Sequence, residues 1–277
     1  MPPPKGPPPL ITVAAVTSGP GYPAIGDLDH VVQATQPKFD EYLAGASAYI
    51  VNGRNLPSKA TATSKSAKAA QGDLSKVLGS VIARELYDRH RKLLLAELGP
   101  QAFTSTRTQK AAHVLSPVAK ETTVAGGLRT AQSDVTEAHE LDGVRLAVEI
   151  KPSYRAVGRA IWNRFGDVRA FAVNIHLKFP FAVVGGVQVL PTWDFDEHGN
   201  WVDTTSYLRR AARRLDRIRL RETEAEAYHL LEAFLLLAFD PKTGKLAPNI
   251  PAPGSPLRLD GFIDAMVKAY DTRFGAE

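Results

Sequence analysis

The stretch SDVTEAHELDGVRLAVEIKP, residues 133–152, decides how this chain is read. Two strand-like runs, Asp134–Leu141 and Val144–Lys151, flank Asp142-Gly143, a pair that favours the positive dihedrals of a two-residue type I′ turn. With that turn, Leu141 faces Val144, Thr136 faces Glu149 and Asp134 faces Lys151. Directly opposed residues project from one face of a sheet, so Asp134, Glu149 and Lys151 gather on the same face, with Asp134 diagonal to Glu149 at roughly 7–8 Å. The other face of the second run carries Val144, Leu146, Val148 and Ile150, the core side under period-two alternation. Asp142 lies seven residues from Glu149, roughly 20 Å along a strand, and is too remote to join that group. The same register puts Glu137 and His139 on the apolar face, which requires either a partly exposed first strand or a bulge.

Two carboxylates beside a lysine suit one chemistry in particular. Hydrolysis of a phosphodiester by a hard cation needs carboxylates converging on the metal and a group that generates or orients hydroxide beside the phosphate. Ser133-Asp134, a hairpin, and then Glu149-Ile150-Lys151 after a buried-looking strand resemble the PD-(D/E)xK nuclease superfamily, and the length of 277 residues resembles its type II restriction endonucleases. A leading helix and a following helix-strand unit extend the resemblance over about Asp73–Leu190. Ser133 stands where the name-giving proline would be. The resemblance implies magnesium bound by Asp134, Glu149 and the Ile150 carbonyl, with Lys151 positioning or activating water. It also implies hydrolysis of double-stranded DNA to a 5′-phosphate, and a DNA methyltransferase acting on the same site as a possible partner. Cutting both strands of a two-fold symmetric site points to a homodimer. Two other readings of the same core are a repair or phage-defence nuclease selecting DNA structure or modification, and a non-catalytic DNA-binding protein.

Outward from the hairpin, the expected fold is α/β (α+β), a mixed central β-sheet flanked by helices with further N- and C-terminal helices. Residues 1–26, opening MPPPKGPPPL, read as a Pro/Gly-rich tail, unable to form a signal-peptide core. Residues 27–277 read as a single domain, with a core at about 73–195 and a C-terminal helical part at 202–277. Gly53–Gly72 is a basic Ser/Thr/Ala-rich loop without an acid. Asp73 is a plausible N-cap for a helix to Leu98, stopped by Gly99-Pro100, with Leu74, Val77, Leu78, Val81, Ile82 and Leu86 as its apolar stripe. Residues 101–131 show no sustained period. A short helix over Tyr154–Phe165 is expected to lead into strands Arg169–Phe179 and Phe181–Leu190. The apolar window Ala170–Leu190 thus reads as two buried strands, not a membrane span. A polar loop over Trp193–Trp201, a mostly helical Ser206–Phe239 and a helix Leu259–Phe274 complete the chain.

Glu85 falls in the middle of the first helix's apolar stripe, where a carboxylate needs a partner; the resemblance implies a supporting metal ligand, and the alternative is an ion pair with Arg89. Arg210, Arg213, Arg214, Arg217 and Arg221 recur at helical spacing, a stripe able to neutralise phosphates or to pair with Glu222, Glu224 and Glu226. Arg155, Arg159, Asn163 and Arg164 follow the hairpin closely enough to reach DNA, or serve as helix packing and caps. His176 on an apolar segment reads as a hydrogen-bonded core histidine, and Gly185-Gly186 as a place of close backbone packing. Lys and Arg total 34 against 29 Asp and Glu, a formal charge of +5 that fits a polyanionic partner. Cysteine is absent, which excludes disulfides, thiolate nucleophiles and cysteine-bound zinc and suits a reducing cytoplasm. The motifs of serine hydrolases, zincins, P-loop and dinucleotide-binding proteins are missing from the sequence.

Overall fold

Val183–Pro191, nine residues, is buried from end to end, the burial of a strand with neighbours on both sides and helices above and below. In the computed structural model, which describes residues 62–99, 114–153, 156–195, 201–240 and 245–275, this strand is β5. Before it come α1 (Ala62–Leu98), a ribbon of β1 (Thr122–Ala125) and β2 (Thr130–Ser133), β3 (Val135–His139), β4 (Gly143–Pro152) and α2 (Val157–His176). After it come β6 (Trp193–Phe195), β7 (Trp201–Asp203), α3 (Thr205–Leu215), β8 (Ala233–Asp240), β9 (Lys245–Leu246) and α4 (Leu259–Phe274). One five-stranded sheet runs β3-β4-β5-β8-β9. Its two inner pairings are parallel and its two outer ones antiparallel. The fold is therefore mixed α/β, a mixed central sheet with helices on both faces.

Alternation along the strands feeds two cores. Leu146, Val148, Ile150, Val187 and Leu235 point to the face covered by α1 and α4. Ala147, Val184, Leu190 and Leu236 point to the face covered by α2 and α3. The glycine pair in β5 serves one helix on each side, as close packing requires. A Cβ on Gly185 would stand 2.7 Å from the Phe262 ring of α4, and one on Gly186 would stand 2.2 Å from Val168 of α2.

The α1 stripe of Leu74, Leu78, Val81, Ile82 and Leu86 is buried as its spacing requires, and Gly99 ends the helix at φ 76°. Its start differs from expectation. The helix begins at Ala62, so Asp73 is an interior residue and not an N-cap. The Ala and Lys residues of 62–72 are good helix formers, and that part of the expected loop is helical.

Two further corrections concern apolar runs whose length misled the reading. Residues 169–176 are not a strand. They continue α2, and Val157, Ile161, Val168, Phe171, Ala172 and Ile175 make one buried helical face. Their aromatic and β-branched content mimics a strand, and the 3.6 period overrides it. Similarly, Ser206–Phe239 is helical only as far as Leu215, and AFLLLAF enters the sheet as β8 beside β5. A continuous apolar run has no period to separate buried strand from buried helix. The sheet therefore does not close by residue 195, and the C-terminal part supplies two of its strands, β8 and β9, as well as helices. The Trp193–Trp201 segment contributes β6 and the start of β7. No helix among the described residues is long and apolar enough to cross a membrane. The tail at 1–26, the stretch to Asn52 and the first part of the basic loop lie outside the described residues.

Candidate active site

β2 runs into β3 through Asp134 alone. The buried Ser133 hydroxyl ties down the bend, donating to the carbonyls of Val135 at 2.8 Å and Val148 at 3.2 Å. Asp134 N–H donates to the Val148 carbonyl at 3.0 Å. The Asp134 carboxylate in turn accepts the Ile150 N–H through Oδ2 at 2.7 Å. The aspartate is thus clamped to β4 by both its backbone and its side chain.

The β3–β4 register differs by two residues from the expected one. Val135 pairs with Val148, Thr136 with Ala147 and Glu137 with Leu146. The ladder stops at Val135, so Asp134 is not paired with Lys151; it meets β4 through its N–H on the Val148 carbonyl and its carboxylate on the Ile150 N–H. The cause is at the turn. Glu140, Leu141 and Asp142 form a three-residue connection, Gly143 takes φ 72°, and a bulge interrupts pairing between Glu137 and Ala138. A slip of two preserves side-chain parity, so Leu146, Val148 and Ile150 keep the core face and Glu149 and Lys151 the opposite one. The bulge turns Val144 to the α2 side and leaves Arg145 stacked on Phe274 of α4 at 4.9 Å. His139 moves to the turn, 3.6 Å from Asp142. Glu137 remains buried, accepting the Ser116 N–H at 3.1 Å and facing the Tyr270 hydroxyl.

Glu149 and Lys151 lie under α2. Parallel pairing sets Glu149 beside Gly186 and Lys151 beside Gln188, and the absence of a side chain at Gly186 lets α2 settle closely there. Glu149 is 7% exposed and its carboxylate contacts the Lys151 ammonium. Burial above all pushes the Glu149 carboxyl up to about 7, with Lys151 pulling it down and Asp134 and Asp167 raising it further. Burial likewise lifts Asp134 to about 6, held back by the Ile150 N–H and Lys151 and raised by Glu121. Two neighbouring carboxyls so strongly disfavoured as anions mark a place short of positive charge.

A divalent cation would supply it. β3 pairing ends at Val135, and a strand residue sends its N–H and C=O to the same edge. Because the Ile150 N–H reaches Asp134, the Ile150 carbonyl faces that side too. Two carboxylates and one carbonyl form an all-oxygen set that fits magnesium, which keeps several of its waters. Among the described residues no three His, Asp or Glu side chains form a metal-holding group by themselves.

Comparison of the chain with family models, curated proteins and solved structures gives no match. The site's chemistry rests on its own geometry.

Glu85 does not join it. Its charged neighbours are Asp88, Arg89, Lys92 and Asp260. The α1 residue beside Asp134 is Gly79, where a Cβ would stand 3.6 Å from the Asp134 carbonyl. Glu85 lies six residues further on, about 9 Å along the axis. It belongs to the α1–α4 contact, where Arg89 pairs with Asp260 and Asp264.

Arg155 lies outside the described residues. Arg159 and Asn163 are exposed on α2, and Arg164 pairs with Asp167 at 3.0 Å. Arg210, Arg213, Arg214 and Arg217 are exposed; the first three are on α3, whose buried residues are Leu208, Ala211, Ala212 and Leu215, and Arg217 lies in the turn beyond it, so the helical stripe ends earlier than expected. Of the expected acidic partners, Glu226 is taken by Arg219 instead. Arg221 leaves the stripe for a buried pair with Glu232. α3 covers the same sheet face as Glu149 and Lys151, joined to α2 by the Tyr207 hydroxyl donating to the Gly158 carbonyl at 2.8 Å. His176 is a core histidine as expected, 0% exposed and hydrogen-bonded to the Tyr228 and Ala182 carbonyls.

Sequence reading missed Gln188. It is fully buried beside Lys151, its Nε2 donating to the Ile161 carbonyl at 2.7 Å. The signal was a single amide within the apolar run VVGGVQVLP.

Proposed function

We propose that this chain is a magnesium-dependent endonuclease of double-stranded DNA, built on a restriction-endonuclease-like core and of the type II, site-specific kind. The observation that carries the reading is the Asp134 carboxylate clamped on the Ile150 N–H next to Glu149, the two carboxyls both raised by burial, with the Lys151 ammonium held against Glu149. Asp134, Glu149 and the Ile150 carbonyl would hold the cation, and the Ile150 N–H orients the Asp134 carboxylate. When bound, magnesium supplies a Lewis acid for the phosphate oxygen and lowers the pKa of its water. Lys151 Nζ, held against Glu149, would hold the attacking water by a charge-assisted hydrogen bond and stabilise the charge that develops on phosphate. The exposed arginines of α3, with Arg159 and Asn163 of α2, lie on the sheet face that carries the two active-site side chains and would take the flanking phosphates. Cutting both strands of a symmetric site calls for two copies of the chain, and a methyltransferase of the same specificity would protect the host DNA.

The test is incubation of plasmid and phage DNA with and without magnesium, using wild type, Asp134→Ala and Lys151→Ala. Magnesium-dependent discrete fragments from wild type alone are expected. A smear favours a structure-selective nuclease, binding without cleavage favours a non-catalytic DNA-binding protein, and equal activity in both variants rejects the site.

A further inference from the structure

The other end of β4 carries a second concave site. A cleft of about 410 Å³ opens between the β3–β4 turn, the entry to β5 and the end of α4, and its wall includes Arg145, Lys178, Phe179, Phe181, Arg273 and Phe274. Val144, also in the wall, is five residues from Glu149, roughly 17 Å along the strand. The cleft is independent of the nuclease reading.

Its charges do not balance. Glu232, a fully buried carboxylate, is shared by Arg273 at 2.7 Å and Arg221 at 3.3 Å, whose side chains are 3% and 0% exposed. One carboxylate between two guanidiniums leaves one positive charge uncompensated in the interior, an arrangement that is costly without a further anion. The hydrogen bonding points the same way. Arg273 Nη1 serves Glu232 and the carbonyls of Phe181 and Ala182, while Nη2 is buried with no hydrogen-bond partner. Arg145 is neutralised by Asp142 on the rim and stacked on Phe274. Lys178 is exposed at the mouth, its Nζ 5.6 Å from the Phe179 ring. Phe181, 55% exposed, offers an open aromatic surface beside these donors.

We infer that this cleft binds a small organic phosphate with a flat ring, the phosphate pairing with Lys178 Nζ and the Arg273 guanidinium of the wall and the ring lying on Phe181. The volume is within the range of small-molecule sites and suits a mononucleotide, not a duplex. Phosphate matches a guanidinium-ammonium pair, and the aromatic wall adds stacking.

Titration calorimetry of the full chain with adenosine monophosphate, inorganic phosphate and adenosine tests this. Saturable binding of the nucleotide is expected, with inorganic phosphate competing more weakly and adenosine at least roughly tenfold weaker, because a charge-assisted bond is lost. Lys178→Gln, at an exposed position, is expected to weaken the nucleotide roughly tenfold without shifting the Tm of the free protein. Phe181→Ala is expected to weaken the nucleotide but not inorganic phosphate. The inference is overturned by an absence of saturable binding up to about 10 mM nucleotide, by equal affinity for adenosine and its monophosphate, or by unchanged affinity in both variants. Inorganic phosphate binding as tightly as the nucleotide overturns the assignment of the ring.

Discussion

Glu149→Gln is expected to stabilise the metal-free protein, and to do so increasingly as pH rises. The Glu149 carboxyl sits at about 7 in the fold against an ordinary 4.5. A carboxyl raised by folding keeps its proton better folded than unfolded, so its contribution is complete below the unfolded value and is lost as pH climbs through the folded one. A gap of about 2.5 pH units, at about 1.4 kcal/mol each, caps the loss near 3 kcal/mol above about pH 8 and leaves under about 1 kcal/mol at pH 5. Glutamine cannot ionise and escapes that loss. Lys151 pairs with Glu149 only while Glu149 is ionised, and that attraction is already contained in the value of about 7. The slope therefore carries the result. Urea unfolding with a chelator, between about pH 5 and pH 8, should show wild type losing about 2 kcal/mol relative to the variant. Magnesium should flatten the wild-type slope and leave the variant unmoved. Parallel wild-type and variant curves in chelator would refute the burial argument.

Three other perturbations separate parts of the structure. Glu85→Gln should leave magnesium-dependent cleavage unchanged, and a rate loss of roughly tenfold or more would restore Glu85 to the metal site. Gly186→Ala places a methyl group against Val168 and Phe234 and should cost about 1–3 kcal/mol by overpacking, read as a lower urea midpoint; an unchanged midpoint would mean that α2 is not closely seated over β5. Replacing Arg210, Arg213, Arg214 and Arg217 together by Gln should lower the slope of log K against log salt for duplex binding by up to about 3.6 with the fold intact by circular dichroism, whereas an unchanged slope would remove α3 from the interface.

What the sequence makes legible follows period and parity. Alternation in β4 separates Glu149 and Lys151 from Leu146, Val148 and Ile150 whatever the turn, because a slip of two leaves every residue on its face. The turn itself was not legible, since Asp142-Gly143 suits a two-residue loop and the three-residue one with a bulge found here equally well. The apolar run at 233–239 hid its identity because it is buried on nearly every side, and only its neighbours decide between helix and strand, whereas at 169–176 aromatic and β-branched residues masked a helical period. Residues 122–133 show no period because each strand of the ribbon has four residues. The ribbon is held by a contact distant in sequence, the buried Asn174 side chain bonding the backbone of Leu128 and Arg129. Glu85 fell in an apolar stripe, and three of its charged neighbours, Asp88, Arg89 and Lys92, follow from α1 spacing, while Asp260 of α4 does not.

The reading of the hairpin stands or falls on Lys151. Single-turnover cleavage of a duplex substrate, measured beside duplex binding and magnesium binding, compares wild type with Lys151→Ala. Cleavage should fall by roughly a hundredfold or more while duplex and magnesium still bind. Cleavage at the wild-type rate, by a variant that binds both, would contradict the placement of the reaction at Asp134, Glu149 and Lys151.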